Sequence, residues 1–213
     1  MSLGAALGPA NAPPHRVGVL GGSFDPPHLA HLALAKLALQ ALRLDELRWL
    51  PARAPWQKAD RERAAPEHRE AMLRLLIEGE PRFSIDTREL LREGLTYTID
   101  TVRELSAEGP RTEWWLVIGQ DQYGRFDTWR EWPEILARVG LAVAAREGQA
   151  PQAPAAVAAL PHRMQVLPLP PMAVAASDIR TRCAQGREIA SLVGQPVARY
   201  IDQHALYTGR PRS

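Results

Sequence analysis

Short apolar runs alternate with amphipathic stretches along most of the chain, and the alternation predicts strands separated by helices. Arg16-Val17-Gly18-Val19-Leu20 reads as a buried strand ending in Gly21-Gly22. From about His28 to Leu42, leucines 29, 32, 37 and 39 stand among alanines, the composition of a helix that packs closely on a sheet. Leu47 to Leu50, stopped by Pro51, is a second strand. Pro66 to Glu78 is a helix with proline in its first turn, where the missing N–H has no intrahelical partner to lose. Phe83 to Ile85 is a third strand, Thr98 to Ala107 a helix, and Trp114 to Ile118 an apolar strand closed by Gly119. A helix at Trp132 to Arg138 leads into a strand at Gly140 to Ala145. Gln149 to Pro161, rich in Ala and Pro, reads as a loop or weak helix. Met164 to Leu167 is a last strand, followed by helices near Asp178 to Gln185 and Val197 to His204.

This order predicts an α/β fold: a Rossmann-like open parallel sheet with helices on both faces and a small C-terminal helical part. Such sheets bind ligands at the carboxyl ends of their strands beside the topological switch point, so the loops after Leu20, Leu50 and Ile118 are the places to look. Residues 1–14, broken by proline, read as a flexible extension, and 15–213 as a single domain.

Charge and cysteine content narrow the class. The chain has 26 basic and 24 acidic residues, a formal net charge of +2 with no basic block, which gives no footprint for a nucleic-acid partner. Lys36 and Lys58 are its only lysines. Cys183 is the single cysteine, so no disulfide within the chain and no thiolate zinc site is expected, in keeping with a cytoplasmic protein. Its setting, Arg182-Cys183-Ala184 in an apparent helix, suits a structural thiol. No uncharged apolar run is long enough to span a bilayer, so no membrane partner is expected.

The stretch from Gly21 to His31, Gly-Gly-Ser-Phe-Asp-Pro-Pro-His-Leu-Ala-His, carries the most chemistry. Two glycines after a strand let the backbone turn and come close to a phosphate, and the following helix directs unpaired N–H groups and its positive dipole end to the same place. His28 and His31, three residues apart, lie on one face at that helix start and can donate to phosphate oxygens together. The stretch lacks the third glycine of a dinucleotide fingerprint and the Gly-Lys-Ser/Thr of a P-loop. A second anion seat is suggested by Ser177-Asp178-Ile179-Arg180, with Ser177 as a cap before a helix and Arg180 one turn in, a planar fork for phosphate oxygens. Trp114 and Trp115, inside an apolar run, read as core.

The glycine-to-histidine stretch is similar to the signature of the nucleotidylyltransferase superfamily. The Tyr-Thr, Gly-Gln-Asp and Thr-Trp elements of Leu95 to Thr101, Ile118-Gly119-Gln120-Asp121 and Phe126-Asp127-Thr128-Trp129 narrow the resemblance to nicotinate-nucleotide adenylyltransferases, and Val143 to Arg146 and the Tyr200, Ile201, Leu206 and Tyr207 positions agree with it. The resemblance also takes in Pro51 to Lys58 and His68-Arg69 with Met72. It implies transfer of AMP from ATP to nicotinate mononucleotide, with magnesium carried on the ATP phosphates and no protein metal cage. It assigns His28, His31 and Arg180 to catalysis, and Gly21, Gly22, Ser23, Phe24, Gly119, Asp121, Ser177 and Ile179 to ATP. Lys58, Tyr97, Thr98, Trp129 and Arg146 are assigned to nicotinate mononucleotide, with the Trp129 ring against the pyridine and the Tyr97-Thr98 segment near its carboxylate. The chain departs from the family at Ala175 and Ala176, where hydroxyl residues are usual, and at Trp56-Gln57 before Lys58. Transfer to another acceptor, such as phosphopantetheine or nicotinamide mononucleotide, and nucleotide binding without turnover stay open, as does the choice between monomer and homo-oligomer.

Overall fold

The computed structural model describes residues 14–53, 64–146 and 150–208; of Arg146 only the main chain is described, and of the expected extension 1–14 only Pro14. Its six strands are β1 (His15–Gly22), β2 (Glu46–Pro51), β3 (Phe83–Ile85), β4 (Thr112–Gly119), β5 (Gly140–Arg146) and β6 (Met164–Leu169). They form one sheet in the order β3-β2-β1-β4-β5-β6, and every neighbouring pair is parallel. The chain winds outward from β1 to β3, then returns past β1 to build the other half from β4. Connections therefore leave β1 and β4 toward opposite sides, which opens a crevice at the carboxyl ends of these two strands.

Side chains of the central strands alternate between two cores, because successive residues of a strand face opposite ways. Leu20, Trp115, Val117, Ala142 and Ala144 join one core with α1 (Leu29–Ala41) and α2 (Pro66–Ile77). Val17, Val19, Trp114, Leu116, Ile118, Leu141 and Val143 join the other with α4 (Thr98–Glu108) and α6 (Trp132–Arg138). The two tryptophans read as core are buried, one on each face. The C-terminal helices α8 (Ala176–Ala184), α9 (Ala190–Val193) and α10 (Gln195–Gln203) are not an appended lobe: Ile179, Val193, Val197 and Ile201 are buried in the α1 and α2 core.

Several boundaries differ from the periodicity reading. Strand β1 ends in Gly21-Gly22 as expected, with Gly22 paired in register with Pro51 and its carbonyl accepting the Ala52 N–H at 2.9 Å, but it begins one residue earlier, at His15. Helix α8 begins two residues before Asp178. Three further elements, α3 (Arg88–Leu91), α5 (Gln120–Tyr123) and the 3-10 turn Phe126–Thr128, are too short to display a period of 3.6 residues. Within the Ala/Pro-rich stretch, Ala155–Ala158 forms the one-turn helix α7, while residues 147–149 lie outside the described part.

A tight point in the sheet lies at Gly140, where an added Cβ would sit 2.7 Å from the buried Trp115 ring. Gly140→Ala is expected to destabilise the fold by about 1–3 kcal/mol through overpacking, read as a lower urea midpoint with an unchanged slope. An unchanged midpoint would show that Trp115 yields without cost.

Candidate active site

The segment following β1 is held by packing as much as by chain flexibility. Phe24 adopts φ 45° although it is not glycine, a strained region for a bulky side chain. Its buried ring meets the edge of His31 at 5.1 Å between centroids and packs on Trp49 at 5.5 Å. The glycines then divide their work differently from the sequence expectation. A Cβ on Gly22 would come within 3.0 Å of the Phe24 ring, so Gly22 makes room for a side chain of its own loop. Gly21 and Gly119, at the ends of adjacent strands, have open space where a Cβ would stand, and both line the same cavity.

His28 is the N-cap of α1, and its side chain is buried. Burial lowers its pKa from 6.5 to about 4, so the ring is neutral near pH 7, and Nδ1 is buried without a partner among the described residues. His31 stacks on it at 3.6 Å between centroids, and its Nδ1 accepts the His28 backbone N–H at 3.3 Å. That acceptor role places the proton of a neutral His31 on Nε2. The pair is thus two stacked imidazoles, in which a second positive charge would be opposed by its neighbour.

Asp25, between the strand and the histidines, is the buried tie of the site. Its Oδ1 accepts from the Tyr207 hydroxyl at 2.7 Å and from the Ala64 N–H at 3.1 Å. Its backbone carbonyl accepts from Arg180 Nη1 at 2.7 Å, and the same Nη1 stands 3.9 Å from Oδ2. Burial, and next the Asp25 carboxylate, raise the Tyr207 pKa, which keeps the phenol protonated as a donor. From the other side Arg69 of α2, itself buried, donates to the carbonyls of Ser23 and Ala52 at 2.7 Å each and of Ala64 at 3.1 Å. Neither Asp25 nor Arg69 was singled out in the sequence for this work. Arg69 sits in an ordinary helical pattern, and the partner carbonyls of a guanidinium leave no trace in a sequence.

Arg180 therefore meets the His28 and His31 loop, as the two-seat arrangement expects, but α8 presents a different first turn. Its N-cap is Ala175, not Ser177. Ser177 is the second helical residue, is exposed, and its carbonyl accepts the Thr181 hydroxyl at 3.1 Å. The unpaired donors of this helix start are the backbone N–H groups of Ala176, Ser177 and Asp178. Ile179 packs into the core and spends its N–H on the Ala175 carbonyl at 3.1 Å, so it supports α8 and its side chain offers nothing to a ligand.

A cavity of about 390 Å³ runs from Gly21–Ser23 and His31 across the ends of β1 and β4 to Thr96, Thr98 and Trp129. Its volume is in the range of small-ligand sites. Thr98 opens α4, and Tyr97, the N-cap, lies under the Arg130 guanidinium at 5.0 Å. Trp129 stacks on Phe126 at 4.9 Å. Beneath them the buried Glu89 lines the cavity and accepts from Thr101 at 2.7 Å, with its pKa raised by burial. Asp121 does not face this cavity: it is exposed and lines an open groove with Gln120, Arg125 and residues 152–154. Lys58 lies outside the described residues, and for Arg146 only its place at the end of β5 is described. Among the described residues no group of three or more His, Cys, Asp or Glu is placed to hold a metal ion, and no helix is long and apolar enough to cross a membrane. Cys183 is a half-buried free thiol whose pKa is raised by burial, as suits a structural role.

Comparison with known proteins agrees over most of the chain. The cytidylyltransferase-like family model matches residues 19–182. A Methylibium petroleiphilum protein named "Probable nicotinate-nucleotide adenylyltransferase" is 50% identical over 92% of this chain and 94% of its own. A Bordetella petrii protein of the same name is 51% identical over 90% and 98%. The fold is similar to that of the Plasmodium falciparum nicotinic acid mononucleotide adenylyltransferase complexed with NaAD, with a TM-score of 0.75, 16% identity, and 92% and 98% of the two chains covered.

The buried imidazole gives a pH signature. An unfolded chain protonates His28 near pH 6.5 and the folded chain only near 4, so stability is full above 6.5 and falls as pH drops through that window. Urea unfolding at about pH 7 and about pH 4.5 should show the wild type losing about 2 kcal/mol more than His28→Asn. Equal losses in the two proteins would mean that the ring takes up its proton without penalty.

Proposed function

The chain belongs to the cytidylyltransferase-like family and, within it, to the nicotinate-nucleotide adenylyltransferases, and from that premise we propose how its residues divide the work. The reaction transfers AMP from ATP to nicotinate mononucleotide, forming nicotinate adenine dinucleotide and pyrophosphate in NAD biosynthesis. An oxygen of the acceptor phosphate attacks the α-phosphorus in line, and the bond to the bridging oxygen of the β-phosphate breaks as pyrophosphate leaves. The attacking oxygen is already ionised, so no general base is needed, and catalysis consists of positioning and charge stabilisation.

The observation that carries this assignment is the Arg180 to Asp25 contact, which joins the start of α8 to the loop between Gly22 and His28 at the mouth of the cavity. The triphosphate lies between the two helix starts. His28 and His31 offer imidazole N–H groups toward it, Arg180 supplies fixed positive charge at the β/γ end, and the first-turn N–H groups of α8 complete the seat. A neutral His28 becomes easier to protonate once a polyanion is beside it, so charge arrives where it is needed instead of being stored in the free protein. Gly21 to Phe24 border the α-phosphate side, and the space over Gly21 and Gly119 admits the reacting groups. Magnesium would be carried by the ATP phosphates, whose charge it would neutralise. Asp121 stands beside the nucleotide at the rim.

The acceptor takes the Thr98 and Trp129 end of the cavity, with Tyr97 next to Thr98 and under the Arg130 guanidinium. Lys58 and Arg146 remain assigned to its phosphate by the motif resemblance. A cytoplasmic location goes with this reading, supported by the free thiol of Cys183.

Incubation with ATP, magnesium and nicotinate mononucleotide should release pyrophosphate, and its absence would remove the assignment. His31→Ala is expected to lower turnover at least about 100-fold, the scale of losing one preorganised charge stabiliser. A loss below about tenfold would take His31 out of the mechanism.

A further inference from the structure

Buried polar atoms without partners are rare in folded proteins, and where they gather they mark a place built for something else to bind. Among the described residues seven such side-chain atoms occur, and three of them, Thr96 Oγ1, Gln122 Oε1 and Trp129 Nε1, belong to residues that line the upper end of the cavity. They come from three separate places in the chain: the segment before α4, the short helix α5, and the residue that closes the 3-10 turn Phe126–Thr128. A fourth, Trp114 Nε1, belongs to a lining residue near the beginning of β4, away from the carboxyl edge where Gly119 stands.

The three atoms differ in what they can do. An indole N–H only donates, a carboxamide oxygen only accepts, and a hydroxyl does both. A carboxylate would be served by the indole and the hydroxyl but opposed by the lone pairs of Gln122 Oε1. A vicinal diol satisfies all three, because each hydroxyl both donates and accepts. We propose that Thr96, Gln122 and the edge of Trp129 form a hydrogen-bonding clamp for the ribose hydroxyls of the acceptor mononucleotide. Trp129 then contributes its N–H as well as its face, one side of which is covered by Phe126. This inference rests on the adenylyltransferase reading and adds to it the part of the acceptor that these side chains hold.

The test measures steady-state kinetics of the wild type, Gln122→Leu, Gln122→Glu and Thr96→Val with nicotinate mononucleotide and with its dideoxy analogue, which lacks both ribose hydroxyls. Thermal melting checks that each variant folds; should Thr96→Val fail, Thr96→Ala takes its place. Gln122→Leu and Thr96→Val should each raise the acceptor KM about tenfold, with the ATP KM unchanged. The dideoxy acceptor should be about tenfold poorer for the wild type and lose nothing further in Gln122→Leu, because the same contact is already gone. Gln122→Glu, which keeps an accepting oxygen, should stay within about threefold of wild type for the acceptor KM. Independent losses from the side chain and from the hydroxyls would overturn the clamp. So would a collapse of Gln122→Glu with full activity on the dideoxy acceptor, which would place the ring carboxylate there instead. Failure of the wild type to release pyrophosphate from ATP with either acceptor is a different result, and would refute the adenylyltransferase reading itself.

Discussion

A single buried carboxylate holds this site together. Asp25 is tied through its side chain to Tyr207 near the C-terminal end of the described chain and to Ala64 just ahead of α2, and through its carbonyl and carboxylate to Arg180 of α8. These partners are up to 182 residues away in sequence, so the contact closes the C-terminal helices over the first loop of the fold. A carboxylate at 4% exposure must be matched by donors, and the donors available are the elements that border the cavity. The requirement of burial is thereby turned into a geometric constraint on Arg180 and on the loop that leads to the two histidines.

Arg69 applies the same logic with the sign reversed. Its guanidinium is buried against the carbonyls of Ser23, Ala52 and Ala64, and it fixes the backbone of the loop after β1. Phe24 adds a third restraint, since its positive φ is sustained by a ring packed between His31, Trp49 and the bare Cα of Gly22. A loop restrained from three directions can aim its N–H groups before any ligand arrives, and such preorganisation is where electrostatic catalysis finds most of its advantage. The His28 imidazole, kept neutral by burial and stacked on His31, belongs to the same design: a polyanion bound beside it would supply the field that favours its protonation.

Much of the fold was legible in the chain because burial on both faces writes continuous apolar runs for strands, and these appear at β1, β4 and β5. Phe83 to Ile85 and Trp132 to Arg138 were bounded as the structure has them. What stayed hidden has specific causes. α3, α5 and α9 are single turns, too brief for periodicity, and Glu89 and Gln122 reach the cavity from two of them. Ser177 suggested a cap by its residue type, but helix α8 begins earlier, at Ala176 behind the uncapped Ala175. The loop motif was visible, whereas the use of Gly22 by Phe24 was not, because ring packing depends on a φ value that no pattern of residue types announces. Asp121, which the resemblance puts near the nucleotide, lines an open groove with Gln120 and Arg125 and is not among the residues that line the main cavity.

The claim that Asp25 transmits order from the C-terminal segment to Arg180 is tested most directly by a double-mutant cycle on kcat/KM, using Tyr207→Phe and Arg180→Ala singly and together. If Tyr207 acts through Asp25 on Arg180, Tyr207→Phe slows the wild type but changes little once Arg180 is gone, a coupling of about 1 kcal/mol or more. Additive losses, within about 0.3–0.5 kcal/mol, would mean that the two residues serve the site independently and that the buried carboxylate is not its organising tie.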